Sequence, residues 1–213
     1  MNTSDRSRPG LLLIALAYIG FISLGLPDAV IGVAWPSVRD AFRLPQSAAG
    51  LVFVASGSGY FVTSFLSGRL TRVLGIGLLL AVSTALVAAA MFGFAFSSLW
   101  ALFVTCAVVH GLGSGAIDAG LNGFAAHHLS ARHMNWLHAC YCLGAMLGPL
   151  LMTVVLTYGY RYSAGYLAVG GVMAALAAVF LATGPRWGQA SAGGAAGGWV
   201  GIGEAVRQPA VLL

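Results

Sequence analysis

The chain has no lysine, only five acidic residues and a charged share of 7%, against a hydrophobic share of 59%. A water-soluble domain keeps about a quarter of its residues charged, so this composition excludes an ordinary soluble fold. Its three cysteines, Cys106, Cys140 and Cys142, all fall inside apolar runs. That placement offers neither a disulfide framework nor zinc-ligand spacing, and it reads as packing inside a membrane. The formal net charge of +5 comes from arginines scattered among connecting segments. No basic stripe with interleaved aromatics appears, so nucleic acid is not an expected partner. His127, His128 and His133 have no cysteine or carboxylate close by in sequence, which favours a solvated interface loop over a metal site. Neither a metal nor a cofactor is expected.

What is present is apolar length. The mean hydropathy is +0.91, and long apolar runs cover residues 11–36, 48–67, 73–96, 99–126, 134–158 and 162–183. About twenty apolar residues span the hydrocarbon layer as a helix, so the expectation is an all-α membrane protein with six transmembrane helices over residues 11–184. The first run follows Arg6 and Arg8 as a signal peptide would, but it carries Pro27 and Asp28 and lacks a small-residue cleavage site. It is therefore read as a retained first helix after a short N-terminus, residues 1–10. Placing that N-terminus in the cytoplasm puts Arg6, Arg8, Arg69, Arg72, Arg132, Arg186 and Arg207 inside, and only Arg39, Arg43 and Arg161 outside. This is the bias that the positive-inside rule favours. Residues 185–213 read as a Gly/Ala/Ser-rich cytoplasmic loop followed by the start of a seventh helix, cut short.

Against this background Asp118 stands out, because residues 99–126 contain no other formally charged side chain. A charge at the centre of a membrane helix costs roughly 2.5–3.5 kcal/mol on insertion scales, so an acid there calls for a function. Asn122 follows one turn later on the same side, while Gly111 and Gly115 mark a face where another helix can approach closely. The local sequence Gly25-Leu-Pro-Asp28-Ala29 returns as Gly115-Ala-Ile-Asp118-Ala119 three runs further along. A repeat of three crossings is inverted in the membrane, which is how alternating-access carriers are often built. It would place Asp28 and Asp118 on opposite sides of the midplane. Pro27 removes a backbone donor beside Asp28 and bends the first helix there.

The densest polar pattern lies between residues 111 and 149: Gly111, Gly115, Asp118, Asn122, Asn135, His138, Tyr141, Gly144, Gly148 and Pro149. The segments Gly115 to Asn122, Met134-Asn-Trp-Leu-His138 and Gly144-Ala-Met-Leu-Gly-Pro149, with Gly25-Leu-Pro-Asp28 and Trp35-Pro36, resemble the major facilitator superfamily. Within it they are most similar to the fucose/proton symporter family and related sugar permeases. The resemblance covers residues 10 to about 185. It implies half of a twelve-helix carrier, made of two inverted three-helix repeats and completed by a C-terminal six-helix half in the lipid bilayer of the cell membrane. It also implies a small polar solute such as a sugar, moved with protons, or with sodium as the other coupling ion. Asp118 then occupies the acidic coupling position, with Asp28 as its companion. Asn122, Asn135, His138 and Tyr141 become candidate solute contacts, and Gly111, Gly115, Gly144, Gly148 and Pro149 become helix-packing positions.

Two departures bear on this reading. The superfamily's Gly-x-Leu-x-Asp-Arg-x-Gly loop is here Gly68-Arg-Leu-Thr-Arg72-Val-Leu-Gly75, with Arg72 in the aspartate's place. The segment from Gly144 to Pro149 resembles part of the helix motif of drug/proton antiporters, but Met152 and Thr153 stand where that motif has a glycine pair. A drug or metabolite/proton antiporter is thus the alternative carrier, and a non-transporting receptor or assembly partner the alternative of another class. An enzyme is not expected. A rhomboid-type protease needs Gly-x-Ser-Gly, and at Leu112-Gly-Ser114-Gly115 the nearest glycine, Gly111, is out of register, while His138, only one helix away near the cytoplasmic end, is not a plausible base. His110 reads as a packed, hydrogen-bonded histidine, while Trp35, Trp100 and Trp136 read as interfacial anchors.

Overall fold

The computed structural model describes residues 10–192, and every regular element in it is helical. Helix α1 covers Leu11–Asp28, α2 Val30–Phe42, α3 Ala49–Phe96, α4 Trp100–His128, α5 Ala131–Thr157 and α6 Tyr162–Ala192, with one short turn at Gln46–Ala48 before α3. Five continuous segments are long and apolar enough to cross a membrane: Leu11–Phe42, Gln46–Phe96, Trp100–His128, Ala131–Thr157 and Tyr162–Trp187. In hydrocarbon each backbone N–H and C=O has to be paired within the protein, and helices do this without outside partners.

The first segment is jointed. Pro27 has no N–H to donate, and the helix breaks at Ala29 (φ −94°, ψ −10°) before α2 resumes. This leaves Asp28 at the joint rather than in mid-helix.

The second segment folds back on itself. Within α3 only Gly75 leaves helical geometry, at φ 71° and ψ 156°, a conformation that side chains with a Cβ rarely adopt. Its effect is read from α4. A methyl at Gly111 would meet Ser56 and Tyr60, whereas one at Gly113 would meet Ser83 and Val87. In one straight helix residues 56 and 83 would stand roughly 40 Å apart, yet residues 111 and 113 are only about 3 Å apart along their axis. The two legs, 49–74 and 76–96, therefore lie on two sides of α4. The connection expected at residues 68–75 shrinks to Gly75, and Arg69 and Arg72 belong to the last turns of the first leg.

Two other expectations shift in the same direction. His127 and His128 close α4, and Arg132 and His133 open α5, so the expected histidine loop is reduced to Leu129 and Ser130. His128 Nδ1 lies 2.9 Å from the Phe124 carbonyl oxygen, and the two rings stack at 4.5 Å. Helix α6 does not stop where its apolar run does. It continues through Pro185 to Ala192, because Trp187 is fully buried against Phe124 and Phe180 and donates its indole N–H to Thr183 Oγ1. The seventh-helix start expected over 203–213 lies outside the described residues.

Glycines set how closely the helices meet. Between α1 and α5, Gly25 sits on the Tyr141 carbonyl and the Ala145 nitrogen, Gly144 on the Ile22 carbonyl and Gly148 on the Leu26 carbonyl. Between the first leg of α3 and α4, Gly59 sits on Val108, Gly111 on the Ser56 carbonyl and Gly115 on the Tyr60 carbonyl. Pro149 continues the α5 stripe as a half-buried interior proline. Lipid tails are as apolar as leucine, so helices in a bilayer associate through such close contact and through polar bonds.

These seats are testable by melting. Gly144→Ala places a methyl on a carbonyl and is expected to cost about 1–3 kcal/mol. Gly32→Ala, whose methyl meets nothing within 4 Å, is expected to be neutral or to gain up to about 1 kcal/mol from helix propensity. Thermal unfolding of the two variants in detergent checks the contrast.

Candidate functional site

The glycine seats have a chemical consequence. Gly25 rests on the backbone of Tyr141, and the hydroxyl of Tyr141 donates to Asp28 Oδ2 at 3.1 Å, three residues beyond that glycine. Gly115 rests on the backbone of Tyr60, and the hydroxyl of Tyr60 donates to Asp118 Oδ2 at 2.6 Å, again three residues beyond. The same arrangement thus occurs twice, with an acid on one helix held by a tyrosine on the helix packed against it. Each tyrosine hydroxyl also lies within electrostatic reach of both carboxylates. The two acids therefore belong to one polar cluster.

The second oxygen of each acid has a different partner. Asn122 Nδ2 donates to Asp118 Oδ1 at 2.9 Å, as the one-turn spacing on α4 allows. His110 Nε2 lies 3.3 Å from Asp28 Oδ1, with the His110 side chain 10% and the Asp28 side chain 27% exposed. His110 is held on its other sides as well: Nδ1 lies 3.0 Å from Ser56 Oγ, and Nε2 lies 3.4 Å from Ser114 Oγ. His110, Ser114, Asp118 and Asn122 recur every fourth residue and form one polar stripe along α4. Beside the Asp28 and His110 pair is a cavity of about 40 Å³, walled by Val52, Phe53, Met91 and Phe94 and edged by Ser56 and Tyr166. The Tyr166 hydroxyl there is buried without a hydrogen-bond partner among the described residues.

The remaining candidates are placed differently. Asn135 and His138 are exposed on α5, on the side that leads up to Tyr141, and neither bonds to an acid. His138 meets Phe21 edge-on at 5.6 Å. Near it, Tyr18 Oη and His133 Nδ1 are 2.7 Å apart, joining α1 to the start of α5. Trp35 is buried, donates to Gln46 Oε1 at 3.1 Å and packs against Trp100. Sequence reasoning missed Tyr60, Ser56, Ser114 and Tyr166. Tyr60 carried a usable signal, since it is to the first apolar run after Asp28 what Tyr141 is to the first run after Asp118.

The whole is an all-helical bundle of membrane-length segments, seated on glycines, with two acids each held by a tyrosine across a helix contact. The sequence pattern of the Major Facilitator Superfamily matches residues 17–213, and the chain belongs to that superfamily. Relatives named sodium-dependent glucose transporter 1 are 28% identical over 139 residues in Homo sapiens and 30% identical over 134 residues in Rattus norvegicus. In Mus musculus, sodium-dependent glucose transporter 1A is 27% identical over 137 residues. The alignments cover 64%, 62% and 63% of this chain but only 27%, 28% and 32% of those relatives. The chain thus matches about a third or less of the length of each.

Two hydroxyl deletions are expected to act in opposite directions. Tyr60→Phe removes a bond to a carboxylate and is expected to destabilise by about 1.5–3 kcal/mol. Tyr166→Phe removes a buried hydroxyl that has no partner and is expected to stabilise by roughly 1 kcal/mol. Melting of both variants in the same detergent checks the signs.

Proposed function

We propose that this chain is the N-terminal half of a secondary active carrier that takes up a sugar or a similar small polar solute with protons by alternating access. The observation that carries the proposal is the exchanged acid–tyrosine pairing. If the two legs of α3 count as separate crossings, residues 11–187 make six, in two sets of three. Asp28 and Tyr60 belong to the first set, Asp118 and Tyr141 to the second, and each acid is bonded by the tyrosine of the other set. Such reciprocal contact is the mark of a two-fold relation, and with three crossings per set the relation is inverted. The N-terminus then lies on the cytoplasmic side, as the arginine bias favours.

In this reading Asp118 and Asp28 are the ion-coupling acids. A lone charge within a membrane-spanning bundle is costly, so in this reading a coupling cation compensates it. Asn122, Tyr141, Asn135 and His138 face the solute, the first two holding the acids while the solute is absent. The exposed side of α5 and the first leg of α3 lean on lipid and on a C-terminal half. Sodium is the alternative ion, favoured by the names of the mammalian relatives. Antiport of a drug or metabolite is the alternative direction, favoured by the segment from Gly144 to Pro149.

The test is uptake of labelled sugars, beginning with D-glucose, by the full-length protein in proteoliposomes under an imposed proton gradient. Tenfold accumulation corresponds to about 1.4 kcal/mol of coupled driving force. Wild type is expected to accumulate solute, and Asp118→Asn to keep exchange while losing accumulation. Equal accumulation by both would make Asp118 structural. Accumulation driven only by sodium would reassign the ion, and binding without flux would point to a receptor.

A further inference from the structure

The two acids share the same kind of partner on Oδ2 and differ on Oδ1. Asp118 receives an amide there, which is neutral at any physiological pH, whereas Asp28 receives an imidazole, which can carry a charge. Among the described residues, no arginine reaches either carboxylate, and the ion pairs are Arg39 with Asp40 at the outer end and His110 with Asp28 in the interior. We propose that His110 is the standing counter-ion of Asp28, which leaves Asp118 as the one carboxylate of the cluster without a cationic partner. The consequence, which rests on the coupling reading above and narrows it from two acids to one, is that the cluster exchanges a single monovalent cation, at Asp118.

The bonding around His110 agrees with a charged ring. An imidazolium donates from both nitrogens. Nδ1 faces Ser56 Oγ, a hydroxyl that can accept, and Nε2 faces the Asp28 carboxylate, with Ser114 Oγ close by. The groups that face this pair are Ser56 and Tyr60 from α3, Tyr141 from α5, Tyr166 from α6, and Ser114 and Asp118 from α4 itself. All except Asp118 are neutral hydroxyls, so nothing else near it supplies positive charge. Val52, Phe53, Met91 and Phe94 give the pair an apolar surround on one side. In such surroundings a lone carboxylate is costly, and a pair that has lost one member is costlier than either the full pair or none.

The test is ring-nitrogen NMR of isotope-labelled histidine in the full-length protein in lipid nanodiscs at neutral pH. His110 is assigned by the signal lost in His110→Gln. If that variant does not fold, replacing His127, His128, His133 and His138 in turn assigns it by elimination. The expected result is an imidazolium pattern for His110 in wild type and in Asp118→Asn, and a neutral pattern in Asp28→Asn. A neutral His110 in wild type overturns the assignment, and so does an imidazolium that persists in Asp28→Asn. Should Asp28→Asn not fold, the wild-type and Asp118→Asn spectra still decide. This readout is separate from transport: uptake can fail with the imidazolium intact, which counts against coupling alone, and a neutral ring with intact uptake counts against the counter-ion alone.

Discussion

Everything in this molecule depends on how closely its helices can approach one another. Burying apolar side chains yields little when the surroundings are themselves apolar, so contact between backbones has to supply the cohesion. Gly25, Gly144 and Gly148 provide that contact on one side of the bundle, and Gly59, Gly111 and Gly115 provide it on the other. The same contacts set the register. With Gly25 against Tyr141 and Gly115 against Tyr60, the phenol rings reach the carboxylates three residues further along. A bulkier residue at either seat would push that pair of helices apart and withdraw the hydroxyl it positions. Packing and polar chemistry therefore rest on the same atoms.

How much of this could be read from the sequence varies with the range of the interaction. Asp118 and Asn122 were legible because one turn of α4 brings them together without help from another helix. Gly111, Gly115, Gly144 and Gly148 were legible as a small-residue face, since that requires only helical spacing. The partners across helices were not. No property of residues 48–67 alone tells which of their faces meets α4, so Tyr60 looked like any lipid-facing aromatic. His110 was read as a packed, hydrogen-bonded histidine, but its bond to Asp28 joins distant segments. The turn at Gly75 was hidden for a different reason. Composition marks loops by their polar length, and a reversal made by a single residue has none. At the end of α6, Gly184 and Pro185 suggest a stop, while the burial of Trp187 holds the helix beyond them.

The interior carries little formal charge, and most of its polar atoms answer one another. Ser56, Ser114, Tyr60, Tyr141 and Asn122 are each bonded to His110 or to an acid. A network of this kind is stable while complete and exposed to rearrangement when one member is called away. A polar solute that competes for the Asn122 amide or the Tyr141 hydroxyl would therefore disturb an acid as it binds. In the proposed carrier, that would give a physical route from solute to ion without direct contact between the two. Superfamily membership sets the scaffold but leaves the solute to such details, since one fold serves many cargoes.

The reversal at Gly75 has a mechanical meaning. A long linker lets its two ends wander, while a joint of one residue passes on nearly every displacement. The legs 49–74 and 76–96 lie on opposite sides of α4 and share that joint. They are disposed like the arms of a pair of tweezers, with the polar row of α4 lying between the middle of the arms and the joint. A tilt of one arm is then felt by the other without slack, and any insertion at the joint would act as a clutch that disengages them.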